Sequence, residues 1–439
     1  MKTPIADFVK RYAKSDFSRF HMPGHKGETF LGPESLDITE ITGADVLFSA
    51  DGIIAESEKN AASLFGTAHT FYSAGGSTSA ICAMLALAGG KKILAARNVH
   101  KAFINACALL DYEVEWLMPE DFSGIIKCEG SPQMVEKSII SADEKPSAVY
   151  LTSPDYLGNI QDISGISAVC KKHGVPLLVD NAHGAYLGFL ENSMHPIHLG
   201  ADACCDSAHK TLPVLTGGAY LHISENAPES FAKNARSRLA LFSSTSPSYL
   251  ILQSLDLCNK YLADGFKDKL AQTIKKVDEI KDFAIKKGIV ILPSEPLKIV
   301  IDAYQTGWTG GEMHSYFRVN KIEPEFCDEH YVVLMVSPSN SDRDMDRLVS
   351  AFDGMVYGVP FEKRIPPLPI AKQKMSIRNA VLSPSERVST SSAIGRICAA
   401  PTVSCPPAVP IAISGEEITE DVAKLFEFYG INEIEVVKD

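Results

Sequence analysis

Two short motifs contain residue types that can bind and react with a carbonyl cofactor. Residues 207–210 (SAHK) end in Lys210, and residues 180–183 (DNAH) begin with Asp180. The DNAH motif follows an apolar run typical of a buried parallel strand, at residues 175–179, and the SAHK motif follows a second, short strand candidate at 201–206. The carboxyl ends of parallel strands meet at one edge of a sheet, where α/β enzymes bind their ligands. We therefore expect the two motifs to lie at one ligand-binding edge.

Pyridoxal phosphate needs a lysine that forms a Schiff base, a carboxylate that keeps the pyridine nitrogen protonated, and donors around its phosphate. Lys210, Asp180 and Ser207 match these three requirements. Considered alone, Lys210 would be interpreted as a solvated lysine and Asp180 as an aspartate that caps a loop. The two motifs together favour pyridoxal phosphate, and Ala182, between the charged ends of DNAH, is included among the cofactor contacts.

A glycine-rich turn is the candidate phosphate site. Residues 75–79 (GGSTS) follow a strand-like run at 70–72 and open an apolar helical run at 80–88. Backbone N–H groups at a helix N-terminus, with hydroxyl side chains beside them, bind a phosphate dianion. Gly76, Ser77 and Thr78 are the expected contacts, and an ordinary helix cap is the alternative.

Three histidines accompany these motifs. His100 follows a strand-like run at 92–95 and could stack on a cofactor ring, or could be a surface histidine. His183 could hydrogen-bond to the phenolic oxygen of the cofactor or to a substrate carboxylate. His209 adjoins Lys210 and could deliver a proton. We predict catalytic roles for His183 and His209, with Lys210 and Asp180.

The composition limits the class of protein. The net charge of −12 argues against nucleic acid and anionic membranes as partners. Residues 1–19 do not resemble a signal peptide, and the longest apolar stretch, 81–88, is too short to span a bilayer, so a cytoplasmic location is expected. The ten cysteines contain no C-x-x-C pair and predict free thiols, and no metal site is expected.

The order of the predicted elements indicates an α/β protein of several domains. Strand-like and helical runs alternate between about 60 and 225, as in a mainly parallel sheet covered by helices. Residues 248–287 read as long helices that could bridge two domains, and a second α/β pattern begins at 288. A proline-rich segment at 364–369 is typical of a linker. The expected domains are 1–270, 271–363 and 370–439.

The chain resembles the pyridoxal-phosphate-dependent ornithine, lysine and arginine decarboxylases in their short form, which lacks an N-terminal wing domain. The residues that carry the resemblance are 20–27 (FHMPGHKG), 38–45 (ITEITGAD), 75–79, 97–101 (RNVHK), 180–184 (DNAHG), 207–213 (SAHKTLP), 395–397 (GRI), 406–407 (PP) and 414–416 (SGE). The resemblance implies a fold-type I large domain, a smaller α/β domain and a C-terminal α+β domain. It also implies a homodimer with the active site at the subunit boundary.

The same resemblance implies the roles of particular residues. Lys210 would form the Schiff base, Asp180 would pair with the pyridine nitrogen, and His100 would stack on the ring. Ser77, Thr78 and Ser207 would bind the phosphate. The implied reaction is decarboxylation of a basic amino acid, which is lysine, ornithine or arginine, to a diamine or agmatine.

Substrate recognition is the part of the resemblance with the fewest matches. The family holds the distal cation of the substrate with an acidic residue of the small domain, and Glu325, then Glu323, are the candidates; two solvated loop glutamates are the alternative. Asp155, Cys405 and Ala408 depart from the family pattern. A different pyridoxal-phosphate reaction, such as transamination or another lyase step, and a non-catalytic regulatory protein therefore remain as alternatives.

Overall fold

The computed structural model describes residues 1–118, 130–362, 366–369, 371–403 and 409–438. Cys405 and Ala408, together with the double proline between them, lie outside the described residues, as do residues 364, 365 and 370 of the expected linker and domain boundary. The side chains of Thr402 and Val403 are also outside this description.

A seven-stranded sheet forms the centre of the large domain. Its strands, in chain order, are β1 (His69–Ser73), β2 (Lys92–Ala96), β3 (Glu113–Leu117), β4 (Ala148–Thr152), β5 (Leu177–Asp180), β6 (Ala203–Asp206) and β7 (Ala219–Ile223). The spatial order is β1-β7-β6-β5-β4-β2-β3. Six of these strands run in the same direction, and β7 runs in the opposite direction. The prediction of a mainly parallel α/β sheet is confirmed.

Helices cover both faces of this sheet, which explains why its central strands are apolar along nearly their whole length. The helices up to the end of the large domain are α1 (Pro4–Ala13), α2 (Ile53–Phe65), α3 (Gly76–Ala88), α4 (Lys101–Leu110), α5 (Pro132–Ser141), α6 (Ile163–His173), α7 (Ala208–Thr211), α8 (Glu229–Leu241) and α9 (Tyr249–Ala263). One apolar cluster packs α3 and α4 against one face of the sheet, and a second cluster packs β4 and β5 against α6.

One long helix, α10 (Phe266–Lys286), joins the large domain to the small domain. Leu270 near its start packs in the core of the large domain, while Val277 and Ile280 pack in the core of the small domain. The expected boundary at 270 therefore falls inside a continuous helix, and the polypeptide crosses between the two domains without a loop.

The small domain is a four-stranded sheet with helices on one side. It contains β8 (Ile291–Leu292), β9 (Lys298–Asp302), β10 (Phe326–Cys327) and β11 (Tyr331–Met335), in the order β10-β11-β9-β8, with α11 (Ala303–Thr306), α12 (Gly310–Val319) and α13 (Asp342–Asp353). Capping boxes begin α12 and α13. Such a box satisfies backbone N–H groups that have no partner within the helix.

The C-terminal segment has little regular structure and packs on the large domain. It contains α14 (Ile377–Leu382), β12 (Ser385–Ser389), β13 (Thr402–Val403), β14 (Ala412–Ile413), α15 (Glu420–Phe428) and β15 (Glu433–Val437). Ile413 joins the apolar cluster around α3 and α4, and Ile411 joins the one around α6. Among the described residues, no helix combines the length and the apolar character that crossing a membrane requires.

Candidate active site

The carboxyl ends of β2, β4, β5 and β6 meet at one edge of the large sheet, because these strands are parallel and adjacent. Asp180 is the last residue of β5, and Ser207 directly follows β6. The glycine-rich turn follows β1, which runs in the same direction. The topology thus brings together motifs that lie far apart in the sequence.

Lys210 lies in the short helix α7, and its Nζ atom is 3.0 Å from Nε2 of His183. Burial of the amine by surrounding atoms lowers the pKa of Lys210, while the charges of Asp180 and Glu325 act in the opposite direction. A larger neutral fraction makes a lysine amine a better nucleophile toward a carbonyl carbon. The environment of Lys210 therefore suits Schiff-base chemistry.

Asp180 is buried, and three donors hold its carboxylate in place. Its Oδ1 atom accepts a hydrogen bond from the backbone N–H of Ala182 at 3.1 Å, and the Cys205 thiol lies 3.6 Å from the same oxygen. The Tyr150 hydroxyl donates to Oδ2 at 3.3 Å. Tyr150 and Cys205 were absent from the sequence prediction, because both occur inside apolar strand patterns that give no sign of a polar contact.

The candidate phosphate site combines the start of α3 with the end of β6. The hydroxyl of Ser207 lies 2.7 Å from that of Ser77, and Thr78 beside them is exposed. Gly76 has a φ of +72°, which L side chains rarely adopt, so the turn into the helix requires glycine here. Two hydroxyls and a helix N-terminus then share one location, which is the arrangement that binds a phosphate dianion.

His100 is the N-cap of α4, and its Nδ1 atom accepts a hydrogen bond from the backbone N–H of Ala102 at 3.2 Å. This bond fixes the orientation of the ring. Burial lowers the pKa of His100, although the charge of Asp180 favours the protonated form. A neutral, fixed imidazole close to Asp180 and Lys210 is suited to stack on an aromatic cofactor.

The two remaining histidines have different surroundings. Burial lowers the pKa of His183 well below its ordinary value, and the positive charges of Lys298 and Lys210 add to this effect. The Nδ1 atom of His183 is buried and has no hydrogen-bond partner within the described part of the chain. His209 instead hydrogen-bonds through Nδ1 to the Gly218 carbonyl oxygen at 3.0 Å. His183 is therefore better placed than His209 to exchange a proton with Lys210.

The small domain supplies the other end of the site. The Tyr156 hydroxyl donates to Oε1 of Glu325 at 2.9 Å, and the Tyr156 ring meets His183 edge-on, with centroids 5.0 Å apart. Glu323 is 69% exposed and pairs with Arg318 of α12 at 3.2 Å. The structure thus brings Glu325, and not Glu323, together with the groups around Lys210.

The departure at Asp155 has a structural explanation. Its buried carboxylate accepts hydrogen bonds from the backbone and the side-chain amide of Asn159, at 2.9 and 2.8 Å, and so closes the loop that carries Tyr156. Burial raises the pKa of Asp155 to about 6. Tyr156 was not predicted as a site residue, and the available signal was its position next to Asp155, which departs from the family pattern.

A cluster of His195, Asp206 and His222 lies fully buried in the large domain, with ligand atoms within 4.8 Å of one another. Both imidazoles hydrogen-bond to Oδ2 of Asp206, at 3.1 and 3.2 Å, and Asn181 donates to Oδ1 at 2.7 Å. A metal-bound imidazole usually donates its second N–H to an acceptor. Nδ1 of His195 has no such partner among the described residues. We interpret the cluster as a hydrogen-bonded brace that joins the Asp180 loop to β6.

The residues present fit pyridoxal phosphate. The Lys210 amine, the Asp180 carboxylate and the Ser77–Ser207 hydroxyl pair provide the three groups that it requires, and the unpartnered Nδ1 of His183 leaves a buried polar atom for a bound molecule. The sheet and the site together define a fold-type I pyridoxal-phosphate enzyme.

Comparison with known proteins identifies the family. The family model for Orn/Lys/Arg decarboxylase, major domain, matches residues 3–302. An arginine decarboxylase of Halalkalibacterium halodurans is 31% identical over 95% of this chain and 91% of the relative, and one of Bacillus subtilis is 29% identical over 96% and 92%. The chain belongs to the Orn/Lys/Arg decarboxylase family. It is a pyridoxal-phosphate-dependent decarboxylase of basic amino acids.

Solved structures agree on the fold. The lysine decarboxylase of Francisella novicida has a TM-score of 0.83 and 16% identity, and covers 99% of this chain and 81% of its own. The constitutive lysine decarboxylase of E. coli has a TM-score of 0.79 at 16% identity, over 100% of this chain and 82% of its own. At this identity the match establishes the architecture and leaves the substrate open.

Proposed function

We propose that this enzyme converts L-arginine to agmatine and CO₂, with lysine and ornithine as poorer substrates. The observation that carries the proposal is the arrangement of Glu325, Tyr156 and His183, which extends from Lys210 to a carboxylate on the small domain. A carboxylate matches the two parallel N–H donors of a guanidinium better than it matches a single ammonium. The near full-length relatives named arginine decarboxylase support the same choice.

Glu325 would hold the guanidinium, and Tyr156 would fix the position of that carboxylate. The substrate's α-amine would then lie at Lys210. The enzyme would select the substrate whose side chain is long enough to reach from Lys210 to Glu325. Discrimination by length is modest, because one methylene contributes only about 1–3 kcal/mol. Weak turnover of lysine or ornithine is therefore compatible with the proposal.

The reaction replaces the carboxylate on Cα by a proton. When bound, pyridoxal phosphate supplies an aromatic ring that accepts the electron pair left by the departing CO₂, and Asp180 would keep its ring nitrogen protonated. Lys210 is the group that would return a proton to Cα. The neutral His183, 3.0 Å away, would accept a hydrogen bond from the amine and keep it oriented.

The test is CO₂ release from purified protein saturated with pyridoxal phosphate and offered arginine, lysine and ornithine separately, with the amine identified by mass. We expect arginine to give the highest kcat/KM and agmatine as product. A higher kcat/KM for lysine or ornithine would contradict the choice of substrate. Exchange of the amino group with a keto acid, without CO₂, would contradict the reaction.

We infer that the active form is a homodimer, as the family resemblance implies. Large apolar side chains in the N-terminal segment are exposed in the single chain: Phe17, Phe20, Met22, Phe30 and Leu31, with Phe20 95% exposed. Several large apolar side chains exposed in one segment of a monomer are typical of an interface. Light scattering should give twice the mass of 47.6 kDa. A concentration-independent monomer would contradict the inference.

We also propose a cytoplasmic location. The cysteines in the described part of the chain are free, and most are buried. Burial raises the pKa of Cys107 well above its ordinary value and the pKa of Cys258 to about 12, so these thiols are unreactive. Free thiols are usual in a reducing compartment. Localisation of a tagged chain in a fractionated cell tests the proposal, and recovery from the secreted fraction would contradict it.

A further inference from the structure

Lys298, a buried lysine of the small domain, lies beside the substrate end of the site. It begins β9, its side chain is 0% exposed, and its Nζ atom donates to the carbonyl oxygen of Asp155 at 3.1 Å. Nζ is also 4.0 Å from Oε1 of Glu295. A buried ammonium is costly unless its hydrogen bonds and its charge are matched. This lysine is therefore a feature that needs an explanation beyond packing.

The contacts of Lys298 lead directly to the groups that would hold the substrate. Asp155 precedes Tyr156 in the chain, and Nζ of Lys298 lies 5.7 Å from the centre of the Tyr156 ring. That ring packs against His183 on one side and against Phe326 on another, with centroids 5.0 and 5.5 Å apart. Its hydroxyl donates to Glu325. One tyrosine thus connects the buried cation to Glu325.

We propose that Lys298 is a positioning residue for substrate recognition: it holds the Asp155–Tyr156 loop and thereby fixes the Glu325 carboxylate that binds the distal cation of the substrate. The proposal rests on the function proposed above. Without the lysine, the Tyr156 ring would lose both its cation contact and the anchor of the preceding carbonyl. Glu325, which is exposed, would then sample positions unsuited to the substrate.

The charge of Lys298 depends on its surroundings. Burial lowers its pKa to about 8, although Glu295, Asp155 and Glu325 favour the charged form; Lys210 opposes it. His183 packs against the Tyr156 ring, and Tyr186 hydrogen-bonds to Glu295. As the pH rises through about 8, the ammonium loses its charge and its contact with the Tyr156 ring weakens.

The experiment measures binding of n-butylguanidine to the cofactor-loaded protein by calorimetry between pH 7 and 9. This probe has no amine that could react with the cofactor and keeps its guanidinium charged throughout this range, so its affinity reports on the Glu325 end. We expect the wild-type Kd to rise severalfold between pH 7 and 9. We expect Lys298→Met to raise the Kd about tenfold at pH 7 and to abolish the pH dependence.

Two further variants separate positioning from folding. Tyr156→Phe keeps the ring but removes the hydroxyl that holds Glu325, so it should also raise the Kd, and its effect should not add to that of Lys298→Met. Lys281→Met is the matched control, because burial also lowers the pKa of Lys281 and Glu295 lies near it. Its Kd should equal that of the wild type.

The outcomes distinguish this proposal from the proposed function. A wild-type protein that releases CO₂ from a basic amino acid, while Lys298→Met binds n-butylguanidine with an unchanged Kd, overturns the positioning role. Should the Lys298→Met protein fail to fold, a wild-type Kd that is flat from pH 7 to 9 overturns the role equally. Absence of CO₂ from arginine, lysine and ornithine alike contradicts the proposed function instead.

Discussion

The Glu416→Gln substitution should destabilise the C-terminal segment by about 3 kcal/mol. Arg97 and Glu416 form a bidentate pair with N–O distances of 2.6 and 2.8 Å, and their side chains are only 3% and 2% exposed. Removing one partner of a buried pair costs about 3–5 kcal/mol. The lower end applies because Arg97 keeps its bond to the Pro410 carbonyl, at 3.2 Å, and its contact with Trp116.

The pair matters for the site because Arg97 begins the loop that leads from β2 to His100. Glu416 also accepts a hydrogen bond from the backbone N–H of Ile413 at 3.0 Å, so its carboxylate orders β14 as well. Loss of the charge should therefore loosen both segments together. We expect weaker cofactor binding to accompany the loss of stability.

Hydrogen exchange measured by mass spectrometry on residues 409–418 is the suitable assay, because it reports local opening even where the whole chain does not unfold in one step. A loss of about 3 kcal/mol corresponds to about a hundredfold faster exchange. Glu386→Gln is the matched control: Glu386 pairs with Arg396 at 2.9 Å but is 42% exposed, so its loss should cost under about 1 kcal/mol. Equal exchange rates in the two variants would refute the reasoning.

Three further predictions concern the site. Lys210→Ala should abolish both turnover and the visible absorbance of the lysine-linked cofactor, and retention of either would contradict its role. Glu325→Gln should raise KM for arginine about ten- to a hundredfold, because a charge-assisted hydrogen bond contributes about 1.5–3 kcal/mol. Glu323→Gln should leave KM unchanged, because Glu323 pairs with Arg318. Equal effects of the two substitutions on KM would contradict the choice of Glu325. Ser207→Ala should weaken cofactor binding about tenfold in a fluorescence titration, and an unchanged Kd would exclude Ser207 from the phosphate site.

The strands of the fold were predictable where apolar runs are continuous and bounded by polar residues. β2 begins at Lys92 as expected, since both faces of such a strand are buried. β5 begins at Leu177, two residues later than expected, because Pro176 has no N–H to contribute to the sheet. β3, at the edge of the sheet, was missed because the prediction followed continuous apolar runs, although polar–apolar alternation is also a strand pattern.

The sequence by itself determined the chemistry of the site, because a Schiff-base lysine, a carboxylate for the ring nitrogen and a glycine-serine turn are required residue types at recognisable strand ends. The tertiary structure decided which acidic residue faces that chemistry. Glu325 pairs through its backbone with Val333 of β11 and reaches Tyr156, whereas Glu323 lies beside α12 and is held there. Two glutamates two residues apart are alike in sequence, and only the packing of the small domain against the large one makes them different.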